Sequence, residues 1–296
     1  MLKSRRSSTL LDVILLLLLL AGICFAGYRI TVGLHYNWNW SVIPQYIIRY
    51  DADSGRWIAN YLLQGLLTTI RLSFWAGLLA MVFGLFMAIA RTGGSVLGHL
   101  VSRCYVELMR NLPPLVLIFI FYYFLADQLA LFLGIDEFVR TASEQVRSVL
   151  SLFFCRPEQF SAFAAATLTL ALFEGAYLAE IIRSGIQGVA SQQWEAAHAL
   201  GLTRKHTLRY IILPQAFRQI LPTLAGQFIS LIKDSAIVSV ISIQELSYQG
   251  TQLMASTYLT IEVWVTISLM YLLLTLPASI GVSWLEQKWQ QPGDNS

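Results

Sequence analysis

Two ionisable side chains lie within long apolar stretches and are the first candidates for chemistry. Glu174 follows TLTLALF and Lys233 follows AGQFISLI. A charge inside a membrane is costly, so such residues usually face a protein interior or a wet cavity. Each can contact a polar substrate, or can pair with an opposite charge and hold two helices together. Asp234 adjoins Lys233, so a helix turns it about 100° away, which favours pairing between helices over substrate contact.

Two acid–base pairs have the spacing of neighbours on a helix. Glu107 and Arg110 are three residues apart, as are Glu180 and Arg183. Residues three apart meet on one helix face, so each pair predicts an ion pair. We expect Glu107, Arg110 and Asp234 to stabilise the helices rather than to bind substrate.

No motif in the sequence predicts a catalytic or cofactor-binding site. It lacks G-x-x-x-x-G-K-[ST], H-E-x-x-H and G-x-S-x-G, the patterns of a P-loop, a zinc protease and a serine hydrolase. Its four histidines have no acid or cysteine at metal-ligand spacing. We therefore expect no cofactor, no metal site and no enzymatic activity in this chain.

The elements that carry these residues are predicted by composition and by the length of the apolar runs. Of the 296 residues, 56% are hydrophobic and 12% are charged, whereas soluble domains have about 25% charged residues. A span needs about 20 apolar residues, and the fold class we predict is an all-α integral membrane protein with about six transmembrane helices. The predicted spans are 10–28, 72–90, 115–133, 160–182, 224–243 and 263–285.

The distribution of Lys and Arg predicts the orientation. Most of them fall in the N-terminal segment and in every second loop if the N-terminus is inside, and cytoplasmic loops carry such an excess. Both termini are therefore predicted to be cytoplasmic. The net charge of +3 is too small to indicate binding to nucleic acid.

The segment EAAHALGLTRKHTLRYIILP, residues 195–214, is the most polar helical stretch in this part of the chain. It predicts two short helices: Gly201 ends the first by taking the left-handed conformation, Thr203 caps the second, and Pro214 bends or ends the second. The second helix has an apolar strip and a basic face. Such a pair can insert into a groove on a soluble partner or lie on anionic lipid, and the pattern alone does not decide between them.

The same segment carries a motif of a known family. The order Glu-Ala-Ala at 195–197, three residues, Gly201, nine residues, Ile211, one residue and Leu-Pro at 213–214 resembles the EAA loop of ABC importer permeases in every position and both gaps. In that family the loop docks into the ATPase subunits. The resemblance implies that the EAA loop here, residues 183–223, couples to an ATPase through Glu195, Ala196, Ala197, Gly201, Arg204, Ile211, Leu213 and Pro214.

Three further stretches resemble the polar amino acid branch of these permeases: YVELMRNLPPLVLIFIFYYF (105–124), GAYLAEIIRSGIQGVASQQWEAAHALGL (175–202) and SLIKDSAIVSVISIQEL (230–246). A free amino acid carries an ammonium and a carboxylate, and a site at the membrane midplane needs an acid for one and a base for the other. The resemblance therefore implies a substrate path that includes Glu174, Tyr177 and Lys233.

The resemblance also implies the organisation, partners and location. It covers residues 64–285, the permease core, which leaves 1–63 as a first span with an outer loop and 286–296 as a short cytoplasmic tail. The expected partners are an ABC ATPase dimer, a second permease of the same or a homologous chain, an extracytoplasmic solute-binding protein, a polar amino acid and membrane lipid. The location is the inner membrane of a bacterium. The alternatives are a secondary transporter or channel that works alone, and a membrane scaffold whose basic loop binds lipid.

Overall fold

The computed structural model describes residues 10–289 apart from 34, 35, 37, 54, 94 and 133. Nearly all of the described elements are helices, which confirms the predicted all-α class. The α-helices and strands are α1 (Leu10–Gly33), α2 (Ile43–Ile47), β1 (Ile48–Asp51), β2 (Arg56–Ala59), α3 (Tyr61–Thr92), α4 (Val96–Asn111), α5 (Pro114–Ile120), α6 (Asp127–Phe132), α7 (Ile135–Thr141), α8 (Glu144–Phe153), α9 (Phe160–Gly188), α10 (Ser191–Ala199), α11 (Arg204–Thr207), α12 (Leu213–Asp234), α13 (Leu246–Thr257) and α14 (Thr260–Trp289). Short π-helical and 3₁₀ segments lie at Trp40–Val42, Phe121–Ala126, Pro157–Gln159, Leu208–Ile212 and Ser235–Ile241.

Five described helical segments are long and apolar enough to cross a membrane, namely Asp12–Arg29, Tyr61–Thr92, Pro157–Gly188, Arg204–Ile241 and Thr260–Trp284. A sixth span is obtained if Val96–Asn111 and Pro114–Phe124, which are bent by 118°, are taken together. The prediction of about six spans agrees with this result. The bend follows from Pro113 and Pro114, because the residue before a proline leaves the helical conformation and proline lacks the amide hydrogen that would continue the helix.

The chain divides into two compact units, Met1–Val42 and Ile43–Ser296. In the described part of the first unit, α1 has 24 residues, which is about 36 Å of helix and enough to cross a bilayer. The predicted tail at 286–296 overlaps the end of α14, and residues 290–296 lie outside the described residues.

The second unit begins with a helix and a hairpin where a loop was predicted. Strands β1 and β2 pair antiparallel, with Tyr50 opposite Trp57 and their rings edge to face at 5.5 Å. The turn between them uses Gly55 at φ 65°. Asn60, which precedes α3, donates its amide hydrogen to the Ile47 carbonyl at 2.9 Å, so the hairpin is joined to the start of the next span.

Helix α3 lies along α9 over most of its length, and this pair forms the centre of the second unit. The approach is close because the buried face of α3 is rich in glycine and alanine, as in membrane helices that pack through small residues. A Cβ atom on Gly84 would lie 2.7 Å from Cβ of Leu178 and 3.1 Å from the carbonyl oxygen of Gly175. The helix begins at Tyr61, about three turns before the predicted start at residue 72.

Helix α4 has 16 residues and lies in what was predicted as a connection. Its N-cap is Ser95, whose side chain accepts a hydrogen bond from the amide of Gly98 at 3.3 Å. On its buried face, the Ser102 hydroxyl donates to the Met87 carbonyl of α3 at 2.7 Å, and the Tyr105 hydroxyl donates to the Leu172 carbonyl of α9 at 2.5 Å. Helix α4 is therefore part of the packed core.

Candidate functional site

The first half of the EAA loop ends in the turn that the sequence predicts. Gly201 has φ 71°, its amide donates to the carbonyl of His198 at 2.9 Å, and the amide of Leu202 donates to the carbonyl of Ala197 at 3.1 Å. These two bonds form a Schellman motif at the end of α10. Thr203 then caps α11, accepting from the amide of His206 at 3.4 Å. The predicted turn and cap are both confirmed in the structure.

The motif residues of the loop divide into a buried set and an exposed set. Ala197 is buried, whereas Glu195 and Ala196 on the same helix are exposed. Ile211 and Leu213 pack against the cluster of buried residues that joins α3, α9 and α12. One side of the loop is therefore fixed to the transmembrane helices, and α10 presents a charged and small-residue surface away from them.

Of the two outcomes predicted for Pro214, bending or ending the second helix of the loop, the structure excludes the ending. The chain is helical from Arg204 to Ile241, and Pro214 lies in the first turn of α12, directly after the π-helical segment Leu208–Ile212. The amide of Leu213 donates to the Leu208 carbonyl, five residues back. This wider turn lets the helix pass the proline, whose ring and missing amide hydrogen disfavour a regular turn there.

One side chain of the loop reaches a distant helix. Nη2 of Arg204 donates to the carbonyl oxygen of Thr92, the last residue of α3, at 2.6 Å. Arg204, predicted to couple to an ATPase, thus has a partner within its own chain. A separate hydrogen bond lies within the loop: the side-chain amide of Gln215 donates to that of Gln193 at 3.3 Å.

The predicted pair Glu180–Arg183 is present and is extended by a third residue. Arg183 Nη2 lies 2.5 Å from Glu180 Oε1, and Arg91 of α3 lies 3.0 Å from Glu180 Oε2. Both carboxylate oxygens of Glu180 are thus engaged, and the three side chains join α3 to α9 at the next-to-last residue of α3.

The predicted pair Glu107–Arg110 is wrong. Glu107 instead accepts from Nε of Arg103, four residues earlier, at 2.7 Å. The guanidinium carbon of Arg110 lies 5.7 Å from the centre of the Tyr177 ring, within the range of a cation–π contact. The helix spacing allowed either partner for Glu107, and the packing of α4 on α9 directs Arg110 toward Tyr177.

Glu174 is the centre of a polar site between α9 and α12. Its side chain is 0% exposed, and its Oε2 accepts from Nε2 of Gln227 at 2.9 Å. Its Oε1 is buried and has no hydrogen-bond partner among the described residues. The carboxyl group of Asp234, an exposed residue, is close enough to Glu174 for the two acids to interact. Buried polar atoms are nearly always hydrogen-bonded, so Oε1 is a candidate to accept a bond from a protonated Asp234 carboxyl or from a ligand.

The other predicted residues of the path fall at different distances from this acid. Tyr177, one turn along α9, has its ring edge to face with Phe173 at 5.3 Å and is close enough to Glu174 and Asp234 to interact with their charges. Lys233 has an exposed side chain and forms no ion pair with any described residue. Asp234, which was assigned to pairing between helices, is the α12 residue that meets Glu174.

Gln227 and Arg110 belong to this site but were not predicted as part of it. Gln227 is seven residues before Asp234, two helical turns, so both lie on one face of α12. That spacing was a usable signal. No sequence signal could have placed Arg110 in the site, since its position depends on the packing of α4 against α9.

Comparison with known proteins identifies the chain. The sequence pattern of the binding-protein-dependent transport system inner membrane component family matches residues 80–291. The chain belongs to this family.

Relatives of this permease agree with the assignment. It is 34% identical over 190 residues to the probable glutamine ABC transporter permease protein GlnM of Bacillus subtilis (strain 168), covering 64% of this chain and 75% of the relative. It is 30% identical over 227 residues to the glutamine transport system permease protein GlnP of Escherichia coli (strain K12), covering 74% and 90%. A solved structure, an amino acid ABC transporter with histidines, has a TM-score of 0.60 and 33% identity, with 77% of this chain and 94% of that chain covered.

The chain is thus a permease subunit of an ABC importer, located in the inner membrane. The matched region starts within α3 and contains both the polar site and the whole EAA loop. This assignment replaces the two alternatives left by the sequence, a transporter that works alone and a lipid-binding scaffold.

Proposed function

We propose that the chain forms the translocation path of an ATP-driven importer of polar amino acids. The observation that carries this proposal is the buried carboxylate of Glu174, with one oxygen bound to Gln227 and the other accepting no hydrogen bond from the part of the chain that the structure describes. An ammonium group is a suitable ligand for this carboxylate, because it donates hydrogen bonds and carries the opposite charge. The names of the relatives, which include glutamine and glutamate/aspartate permeases, support an amino acid as the substrate.

The residues around Glu174 are assigned roles in this proposal. Glu174 binds the ammonium group, Gln227 fixes the orientation of that carboxylate, and Asp234 adds negative charge to the same end. Arg110, over the Tyr177 ring, is the cation that binds the substrate carboxylate. Lys233, predicted for that role from the sequence, stays a prediction.

The ATPase acts through the EAA loop in this proposal. The exposed surface of α10 that includes Glu195 and Ala196 docks on a separate ATPase subunit, which hydrolyses ATP. A second permease, of the same or a homologous chain, completes the path, and an extracytoplasmic binding protein delivers the substrate. The EAA loop and both termini lie in the cytoplasm. The complete match of the EAA motif supports the docking, and the excess of Lys and Arg in the predicted inner loops supports the orientation.

The experiment is to measure uptake by the reconstituted complex that carries Glu174→Gln. The amide has the same shape but no charge, so it loses its attraction for an ammonium group, and a hydrogen bond to a charged group contributes about 1.5–3 kcal/mol. We expect the apparent affinity for the amino acid to fall at least ten-fold while the complex still assembles.

Glu137→Gln is the matched control, since Glu137 lies on the exposed face of α7. Its uptake should equal that of the wild type. Unchanged affinity in Glu174→Gln, with the complex intact, would return Glu174 to a structural role.

A further inference from the structure

The C-terminal end of α3 is completed by side chains from two other elements. The last carbonyl groups of a helix have no partner inside the helix. In α3 the Ile89 carbonyl accepts from the amide of Gly93 at 2.9 Å. The Arg91 carbonyl faces Nδ1 of His99, on α4, at 3.0 Å, and the Thr92 carbonyl accepts from Arg204 at 2.6 Å.

Arg204 is well placed to hold this helix end. A guanidinium is always charged, and cations are favoured at the C-terminal end of a helix, where the macrodipole is negative. The residue is the first of α11 and follows the Thr203 cap, only three positions after the Gly201 turn. Because the cap and the turn fix its backbone, a displacement of the loop must displace the guanidinium and the carbonyl bound to it.

The end of α3 is in turn joined to the helix that carries the polar site. Arg91, next to Thr92, pairs with Glu180 of α9 at 3.0 Å, and Glu180 is six residues from Glu174, or about 9 Å along the helix. The two helices are packed closely through Gly84 and Gly175. They therefore move together more readily than they slide apart.

We propose that Arg204 is a positioning residue that transmits movement of the EAA loop to the C-terminal end of α3, and that it does not act by holding the ATPase. This inference rests on the proposed function, since it needs an ATPase that moves the loop. It changes the role of one residue of the predicted docking set, because Nη2 of its guanidinium is bound to the Thr92 carbonyl of its own chain.

The test compares three variants in the complete complex, reconstituted with its ATPase and binding protein. Arg204→Gln removes the charged contact, Arg204→Lys keeps the charge with one donor group, and Lys205→Gln removes a charge from the next position. The Lys205 side chain is exposed and forms no hydrogen bond or ion pair with any described residue, which makes it the matched control. Three quantities are measured: the amount of permease in the membrane, the ATPase that co-purifies with it, and the amino acid transported per ATP hydrolysed.

We expect Arg204→Gln to lower the amount transported per ATP about two- to five-fold, the range that follows from a cation at a helix end, with wild-type recovery of the ATPase. Arg204→Lys should recover part of that loss, and Lys205→Gln should equal the wild type. A loss of ATPase recovery in Arg204→Gln would overturn the inference and make Arg204 a docking residue. A wild-type ratio of transport to hydrolysis would overturn it as well. If no ATPase co-purifies even with the wild-type chain, the proposed function itself fails.

Discussion

Replacing Gly201 by valine tests whether the turn of the EAA loop is needed for docking. Gly201 has φ 71°, in the left-handed region that L-residues other than glycine rarely adopt. No atom lies within 4 Å of a Cβ atom built at this position. A new side chain therefore meets no steric obstacle, and the whole effect of the substitution acts through the backbone.

The size of the effect on docking follows from the backbone conformation alone. The left-handed conformation costs a residue other than glycine about 1–2 kcal/mol, and a β-branched residue lies at the upper end because its χ1 is also restricted. Either the turn keeps its shape at this cost, or α10 and α11 merge and the exposed face of α10 turns away. In both cases the docking-competent form becomes about 5- to 30-fold less populated.

The assay is to purify the permease through a tag and to measure the ATPase that comes with it, together with uptake. Gly201→Val should insert into the membrane normally and lose most of the ATPase and of the transport. Gly201→Asn should be close to the wild type, because asparagine enters the left-handed region more easily. Gly281→Val is the control, since Gly281 of α14 is also free of neighbours within 4 Å but has no positive φ. Normal ATPase recovery and transport in Gly201→Val would refute the docking role of this turn.

Three shorter predictions concern the same complex. Glu195→Ala should reduce ATPase recovery less than Gly201→Val, because it removes one exposed side chain and leaves the turn intact; an equal or larger loss would show that Glu195 dominates the docking. Gly84→Val should lower the midpoint of thermal unfolding in detergent, since overpacking costs about 1–3 kcal/mol and the α9 backbone cannot move aside easily; an unchanged midpoint would contradict the close approach of α3 and α9. A cysteine at position 205, in a chain whose own cysteines are replaced, should react with an impermeant reagent only from the cytoplasmic side, and labelling from outside would reverse the predicted orientation.

The sequence predicts the long helices and the local signals at their ends well. The spans, the glycine turn and the threonine cap each depend on a run of residues or on one backbone conformation, and such features need no knowledge of the neighbouring elements. The same holds for Glu180 and Arg183, which share a helix face. Arg91, the third member of that ion cluster, could not be predicted because it is brought in by the packing of α3.

The sequence predicts poorly the features that depend on contacts between distant segments. The start of α3 was placed too late because its first turns contain Gln64, Thr68 and Arg71, which reduce the apparent hydrophobicity. The structure supplies partners there: Gln64 donates to the Ala59 carbonyl at 2.8 Å and accepts from Arg156 at 2.9 Å. The hairpin before it has only four residues in each strand, too few for a clear alternating pattern.

The residues around Glu174 show a second reason why a site cannot be fully predicted from the sequence. Lys233 and Asp234 are adjacent, and the periodicity of α12 says only that they point in directions about 100° apart. Which of the two meets α9 depends on the rotation of α12 about its own axis, and the packing of Gly185 of α9 against Ile220 near the other end of α12 helps to fix that rotation. Opposite charges made Lys233 the natural partner for a substrate carboxylate, whereas the fold brings a second acid to the site.

The unbroken helix from Arg204 to Ile241 links the loop to the polar site more directly than a separate coupling helix would. It carries the second half of the EAA loop at one end and Asp234 near the other, 30 residues or about 45 Å away, and Gln227 lies between them. Gln227 donates a hydrogen bond to Glu174 of α9, and Asp234 is close enough to interact with the same carboxyl group. A tilt or rotation of α12 driven at the loop would therefore change the distances among these three side chains. Under the proposed function, movement of the EAA loop would therefore change the surroundings of Glu174 through α12, in addition to the contact that Arg204 makes with the end of α3.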